Sequence, residues 1–142
     1  MILVYTSVIS EPLRKVPDAR VIDWIDGQPL ETLYLSAITV AELRYGVASL
    51  PAGKRRHRLH EGLETRVLPL FAGRVLAFDL LASQAYADLM SRARTIGLSI
   101  GAADGYIAAT AAANKMAVAT RDTEAFEAAG VPVINPWRNT RQ

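Results

Sequence analysis

Glu42, Asp104 and Asp122 are carboxylates set among apolar or small residues, far apart along a chain of 142 residues. Asp104 stands near the start of the Ala-rich run Ala102 to Ala113, where an unpaired charge would be costly. Asp122 follows the short β-like run Ala117 to Thr120, and Glu42 falls in the first helical turn after the run Leu33 to Ile38. Three carboxylates drawn together repel and raise one another's pKa unless a divalent cation neutralises them. An all-oxygen ligand set suits Mg²⁺ or Mn²⁺. A hard cation that keeps several waters can orient and activate one against a phosphodiester. Phosphoryl chemistry is therefore the reaction class this trio would serve.

Each acid also has a plainer reading. Thr39-Val40-Ala41-Glu42 has the S/T-x-x-E form of a capping box, and Asp122 before Thr123 reads as a helix N-cap. A cap and a ligand do not exclude each other. Asp79 also follows a strand-like run, but capping a helix from Leu80 explains it, and it is left out of the trio. Lys54, Arg55, Arg56, His57, Arg58 and His60 crowd together, either to meet nucleic-acid phosphates or as the solvated face of an amphipathic helix. Arg121, beside Asp122, is the better placed cation, while Trp137 and Tyr106 read as packing aromatics.

Strands are expected over Met1 to Thr6, Leu33 to Ile38, Val75 to Phe78, Ala117 to Thr120 and Val131 to Ile134. Helices are expected between them. Val21, Trp24 and Ile25 mark one face of a helix over Asp18 to Asp26; a second begins at Thr39 and fades near Gly46 or Leu50-Pro51. Leu59, Leu63 and Val67 give Lys54 to Leu68 an apolar stripe, and Leu81, Ala85, Leu89 and Ala93 do the same for Leu80 to Ile96. Ala102 to Asn114 and Thr123 to Ala129 complete the set. Alternating strands and helices predict an α/β fold, one domain over residues 1–142, with a central, mainly parallel sheet flanked by helices. In such sheets the functional crevice lies beyond the carboxyl ends of the strands, where connections diverge, and connectivity puts all three acids near that edge.

Composition narrows the options. At 51% hydrophobic and 21% charged, the chain has enough apolar material for one sizeable core. The absence of cysteine removes disulfide scaffolds, thiol catalysis and Cys-rich zinc sites, so any metal must be held mainly by oxygen. The apolar runs are too short for a membrane span, and no secretion signal is visible, so the cytoplasm is the expected compartment. No phosphate-cradling G-x-x-x-x-G-K-[ST] loop or G-x-G-x-x-G turn follows a strand. A receiver-like phosphoacceptor would need an acidic pair after strand one, which is missing.

Several stretches carry a family likeness. They are Met1-Ile2-Leu3 with Thr6 and Val8-Ile9-Ser10-Glu11; Leu35 to Leu43 with Gly46; Ala103 to Ala111; Ala119-Thr120-Arg121-Asp122; and Asn135-Pro136-Trp137. Together the chain resembles PIN-domain ribonucleases, specifically the VapC/FitB-like toxins of bacterial type II toxin-antitoxin pairs. The resemblance implies an Mg²⁺- or Mn²⁺-dependent endoribonuclease with Glu42, Asp104 and Asp122 as its acidic residues. Asp104 would be a principal metal ligand, with the Thr6 and Thr120 hydroxyls one layer behind the acids. It also implies a cognate antitoxin that blocks the site and tethers the complex to operator DNA. A toxin homodimer within a hetero-oligomer, with the antitoxin segment in an apolar groove near Leu13, Val47 and Leu50, belongs to the same picture.

One position departs from the pattern. The family's first strand ends in Asp-Thr-Asn, whereas Tyr5, Thr6 and Ser7 stand here. A phenol with an ordinary pKa of about 10 is neutral at physiological pH and cannot act as an anionic ligand. The resemblance then implies a weakened ribonuclease or, alternatively, an inactive PIN-fold module kept for antitoxin, operator-complex or RNA binding.

Overall fold

The computed structural model describes residues 1–138. Strand β1 (Ile2–Val4) forms the centre of a five-stranded sheet in the order β3-β2-β1-β4-β5, with β2 at Leu33–Ser36, β3 at Val75–Leu76, β4 at Ala117–Ala119 and β5 at Val133–Ile134. Every pairing is parallel, so each connection must cross over a face of the sheet, and helices make those crossings. They are α1 (Thr6–Ile9), α2 (Ala19–Asp26), α3 (Ala37–Ala48), α4 (Lys54–Gly62), α5 (Leu80–Thr95), α6 (Ala102–Ala113) and α7 (Thr123–Ala128).

Because successive strand residues point to opposite faces, one short strand feeds two cores. Leu3 and Val118 enter a core with Leu89, Ala93, Ile107 and Phe126. Val4 and Ala119 enter the other, with Val8, Val21, Leu35, Leu43 and Trp137. The small side chains of α6 let it lie close along α5. At Gly105 a Cβ would come within 2.9 Å of Met90 Sδ and 3.0 Å of Tyr86 Cε1, so any side chain there would displace the Met90 and Tyr86 side chains of α5.

The α/β class and parallel sheet are as the sequence suggests, but several boundaries shift. Strand β1 stops at Val4 because the chain turns at Tyr5 into α1, where the sequence pattern continues the strand to Thr6. Strand β2 stops at Ser36, whose hydroxyl accepts the Ile38 N–H at 3.0 Å and caps α3. The helix thus begins ahead of Thr39, and the expected Thr39–Glu42 capping box does not form: Thr39 is buried and Glu42 lies within the helix. The helix expected over Lys54 to Leu68 breaks into α4, a wider turn over Leu63–Val67 and a 3₁₀ turn over Leu68–Phe71 that contains Pro69. On α5 the buried stripe is Ala82, Leu89 and Ala93, and Leu81 is largely exposed.

The chain leaves β1 for β2 and β3 on one side, then returns to β4 on the other side of β1. The carboxyl ends of β1 and β4 therefore bound the point where connections diverge, the usual place for a crevice.

The two aspartates at helix starts behave differently. Asp79 Oδ1 accepts the Ala82 N–H at 3.0 Å, whereas Asp122 precedes α7 without a side-chain cap bond. Asp79→Ala should therefore lower stability by about 1 kcal/mol in urea unfolding, and Asp122→Ala should leave it nearly unchanged. Equal losses would contradict the assignment.

Candidate active site

Tyr5 leaves β1 in an extended conformation and anchors its backbone to β4 by donating its N–H to Ala119 O at 2.9 Å. Its half-buried ring packs edge-on against Phe126 of α7, with centroids 5.2 Å apart. That leaves the hydroxyl facing α6, where it donates to Asp104 Oδ1 at 2.5 Å. A hydroxyl donating to a charged carboxylate forms one of the shorter and stronger hydrogen bonds in proteins. Asp104 lies in the first turn of α6, where the helix dipole also favours a negative group.

The next residue repeats the arrangement. Thr6 Oγ1 donates to Glu42 Oε1 at 2.6 Å, with the buried Thr39 hydroxyl 3.5 Å away. Beginning α3 at Ala37 puts Thr39 and Glu42 one turn apart, so both reach the residue that follows Tyr5. Asp122 arrives from β4. The buried Thr120 hydroxyl accepts the Asp122 N–H at 3.1 Å, which folds the connection into a tight turn and leaves the Asp122 carboxylate exposed. The Arg121 N–H donates to Ser7 Oγ at 3.3 Å, joining the two connections that rim the crevice.

Tyr5 reports on all three acids. Its phenol is pushed far above its ordinary pKa, first by burial, then by the hydrogen bond to Asp104, then by the negative charges of Asp104, Glu42 and Asp122. Asp104 and Glu42 are thus held by the adjacent Tyr5 and Thr6 hydroxyls, while Asp122 acts on Tyr5 only through its charge. The donor set is of the oxygen type that hard divalent cations take. Yet one Asp104 oxygen is engaged by the phenol, and among the described residues no group of three or more Asp, Glu, His or Cys side chains is placed to hold a metal ion. As arranged around Tyr5, the residues do not form a ready metal site.

A groove of about 330 Å³ runs from this pocket between α1, α3 and α4. Thr6 and Glu42 lie in its wall, with Leu13, Val47, Leu50 and Leu59 as apolar lining and Arg14 and Arg55 as cations.

With that geometry in view, the comparisons with known proteins converge. The PIN domain profile matches residues 2–131. The chain belongs to the PIN-domain family. This PIN domain is 63% identical to the VapC ribonuclease Y4jK of Sinorhizobium fredii over 137 residues, covering 96% of this chain and 98% of that protein. It is 58% identical to Toxin FitB of Neisseria gonorrhoeae, covering 98% of this chain and 100% of the other. Its fold superposes on the structure of FitAB bound to an IR36 DNA fragment with a TM-score of 0.96, at 57% identity and 99% coverage of both chains.

Four sequence-selected residues of this PIN domain, Tyr5, Thr6, Glu42 and Asp104, are linked in two direct hydroxyl–carboxylate pairs. Thr120 shapes the turn that presents Asp122. Two participants went unselected. Thr39 reads from the sequence as a cap, and the link from Ser7, the third residue of the Tyr5-Thr6-Ser7 motif, to the Arg121 backbone has no local signal because it depends on β1 and β4 lying side by side. The basic residues Lys54 to Arg58 of α4 are exposed, as both the phosphate-binding and the solvated-face readings require. Tyr106 stacks on Tyr86, with centroids 4.9 Å apart, and meets Phe78 edge-on, so it packs as expected. No helix among the described residues is long and apolar enough to cross a membrane.

A raised phenol pKa favours the protonated fold. The stabilisation from Tyr5 is therefore complete below about pH 10, the unfolded-chain value, and is lost as pH rises through the higher folded-state value. Ultraviolet difference titration between about pH 9 and 11 should give the same phenolate amplitude for Tyr5→Phe as for the unsubstituted chain. If Tyr5→Phe removes a transition in that range, the shielded hydroxyl is not there.

Proposed function

We propose that this PIN domain is the toxin of a toxin-antitoxin pair, an endoribonuclease of the Mg²⁺- or Mn²⁺-dependent type whose activity Tyr5 holds low. The observation that carries the reading is the Tyr5 hydroxyl on Asp104, beside the Thr6–Glu42 pair and in the electrostatic field of Asp122, at the divergence point of a parallel sheet. Glu42, Asp104 and Asp122 are the acidic residues of the site; Thr6 orients Glu42, and Thr120 sets the turn before Asp122. The family pattern has Asp where Tyr5 stands. The substitution withdraws one negative charge and adds a ring and a donor that engages Asp104. Both changes disfavour a divalent cation, so weak metal binding and slow RNA cleavage follow together.

The cognate antitoxin is the proposed occupant of the groove beside Thr6 and Glu42, with the apolar floor receiving its side chains and operator DNA reached only through it. The likeness to FitAB bound to DNA supports that arrangement. A toxin homodimer within the hetero-oligomer, and residence in the cytoplasm, complete the proposal. The Tyr5–Asp104 bond also favours a second reading: a PIN fold that no longer cleaves and is retained to bind antitoxin, operator complex or RNA.

Comparing RNA cleavage in Mg²⁺ and Mn²⁺ separates these. Tyr5→Asp should exceed the unsubstituted chain by at least about tenfold, the lower end of what loss of even an outer-layer partner costs a metal site. Adding Asp104→Asn to Tyr5→Asp should abolish the gain. Equal, robust rates with and without Tyr5→Asp refute the inhibitory role of Tyr5, and cleavage by neither chain favours the binding module.

A further inference from the structure

An acidic crevice repels the phosphates of a nucleic acid unless a cation at its rim draws the strand in. Arg121 occupies that rim, between Thr120 and Asp122, with its N–H on Ser7 of the β1 connection. Its guanidinium carbon lies 5.0 Å from the centroid of the Trp137 ring, within cation–π range. Trp137 is only 6% exposed and belongs to the core beneath the crevice. Its position is set by an Asx turn, in which the Trp137 N–H donates to Asn135 Oδ1 at 2.9 Å just after β5. The platform under the guanidinium is therefore fixed from below, while Arg121 itself is exposed.

The charges around it are assigned. Asp18 lies within electrostatic reach, but its carboxyl is held down to about 2 chiefly by the Arg20 side chain, which pairs with it at 2.8 Å, and Arg121 adds only a smaller share. Asp122, the adjacent acid, makes no ion pair among the described residues, and neither does Arg121, whereas Arg14, Arg20 and Arg44 each have a carboxylate partner. A guanidinium held over a ring, with no carboxylate partner among the described residues, keeps N–H donors to spare, and its planar fork matches a phosphate's oxygens.

We propose that Arg121, laid against Trp137 at the rim of the acidic crevice, binds a backbone phosphate of single-stranded RNA, with Trp137 and Ser7 as its positioning residues. This rests on the ribonuclease reading and gives the Asn135-Pro136-Trp137 segment a task beyond packing. It distinguishes Arg121 from the exposed basic face of α4, which lacks an aromatic platform of this kind among the described residues.

The test is fluorescence anisotropy with a labelled single-stranded RNA oligonucleotide and the full chain at fixed Mg²⁺, from about 50 to about 200 mM salt, with a gel confirming intact RNA. Arg121→Met keeps an apolar stem over Trp137 and removes the charge. It should weaken binding about tenfold, as loss of a charged hydrogen bond does. It should also reduce the slope of log Kd against log salt by about 0.7, one phosphate's share on a single strand, with Tm unchanged. Arg121→Lys should keep the slope while losing affinity, because an ammonium neither stacks flat nor forks. Unchanged affinity and slope in Arg121→Met overturn the inference, and a lowered Tm with an unchanged slope reduces Arg121 to a cover for Trp137. If the unsubstituted chain shows no salt-dependent RNA binding, the ribonuclease reading falls as well.

Discussion

The hydrogen bond from the Tyr5 hydroxyl to Asp104 joins the central strand to the Ala-rich helix at the point where the sheet's connections part. Asp104 faces a difficulty common to acids in apolar settings: its charge needs a partner, and no Lys or Arg reaches it within ion-pair distance among the described residues. The phenol, a neutral donor kept protonated by burial and by the surrounding acids, solves it without a cation. A carboxylate in the same place would add a fourth negative charge to a pocket already carrying Glu42, Asp104 and Asp122, and would call for a counter-ion. The identity of residue 5 thus sets how much negative charge the crevice leaves uncompensated.

The rest of the fold makes that one position consequential. An all-parallel sheet directs the carboxyl ends of β1, β2 and β4 to one edge, so the residues that follow them, and the first turns of helices packed beside them, meet there. β1 is three residues long and buried on both faces, which leaves Tyr5 little freedom: Ala119 holds its backbone and Phe126 its ring. Thr6 then engages Glu42, and Ser7 engages the Arg121 backbone. Three successive residues, Tyr5, Thr6 and Ser7, thereby connect to α6, α3 and the β4 connection in turn. The groove that opens beside Thr6 and Glu42 shares its wall with the pocket, so a segment bound in one abuts the acids of the other.

Much of this was legible in the residues. The β-branched and apolar runs located all five strands, and the isolation of Asp104 in an Ala-rich helix marked it before any neighbour was known. Boundaries read less well, for identifiable reasons. Ser36 and Thr39 are both competent helix caps by type, and only the backbone conformation at Ser36 decides between them. Leu81 fits a four-residue repeat, yet the buried face of α5 follows Ala82 because α6 packs closely against that side. Pairings across the crevice, such as Ser7 with Arg121 and Arg121 with Trp137, join residues up to 114 positions apart and depend on strand order, which local pattern does not encode.

An anomalous difference map from crystals grown with stoichiometric Mn²⁺ tests the central claim most directly. The Tyr5 hydroxyl is expected within hydrogen-bond distance of Asp104, with no Mn²⁺ peak among Glu42, Asp104 and Asp122. A strong peak bound to Asp104, with the Tyr5 ring turned away from it, would contradict that claim.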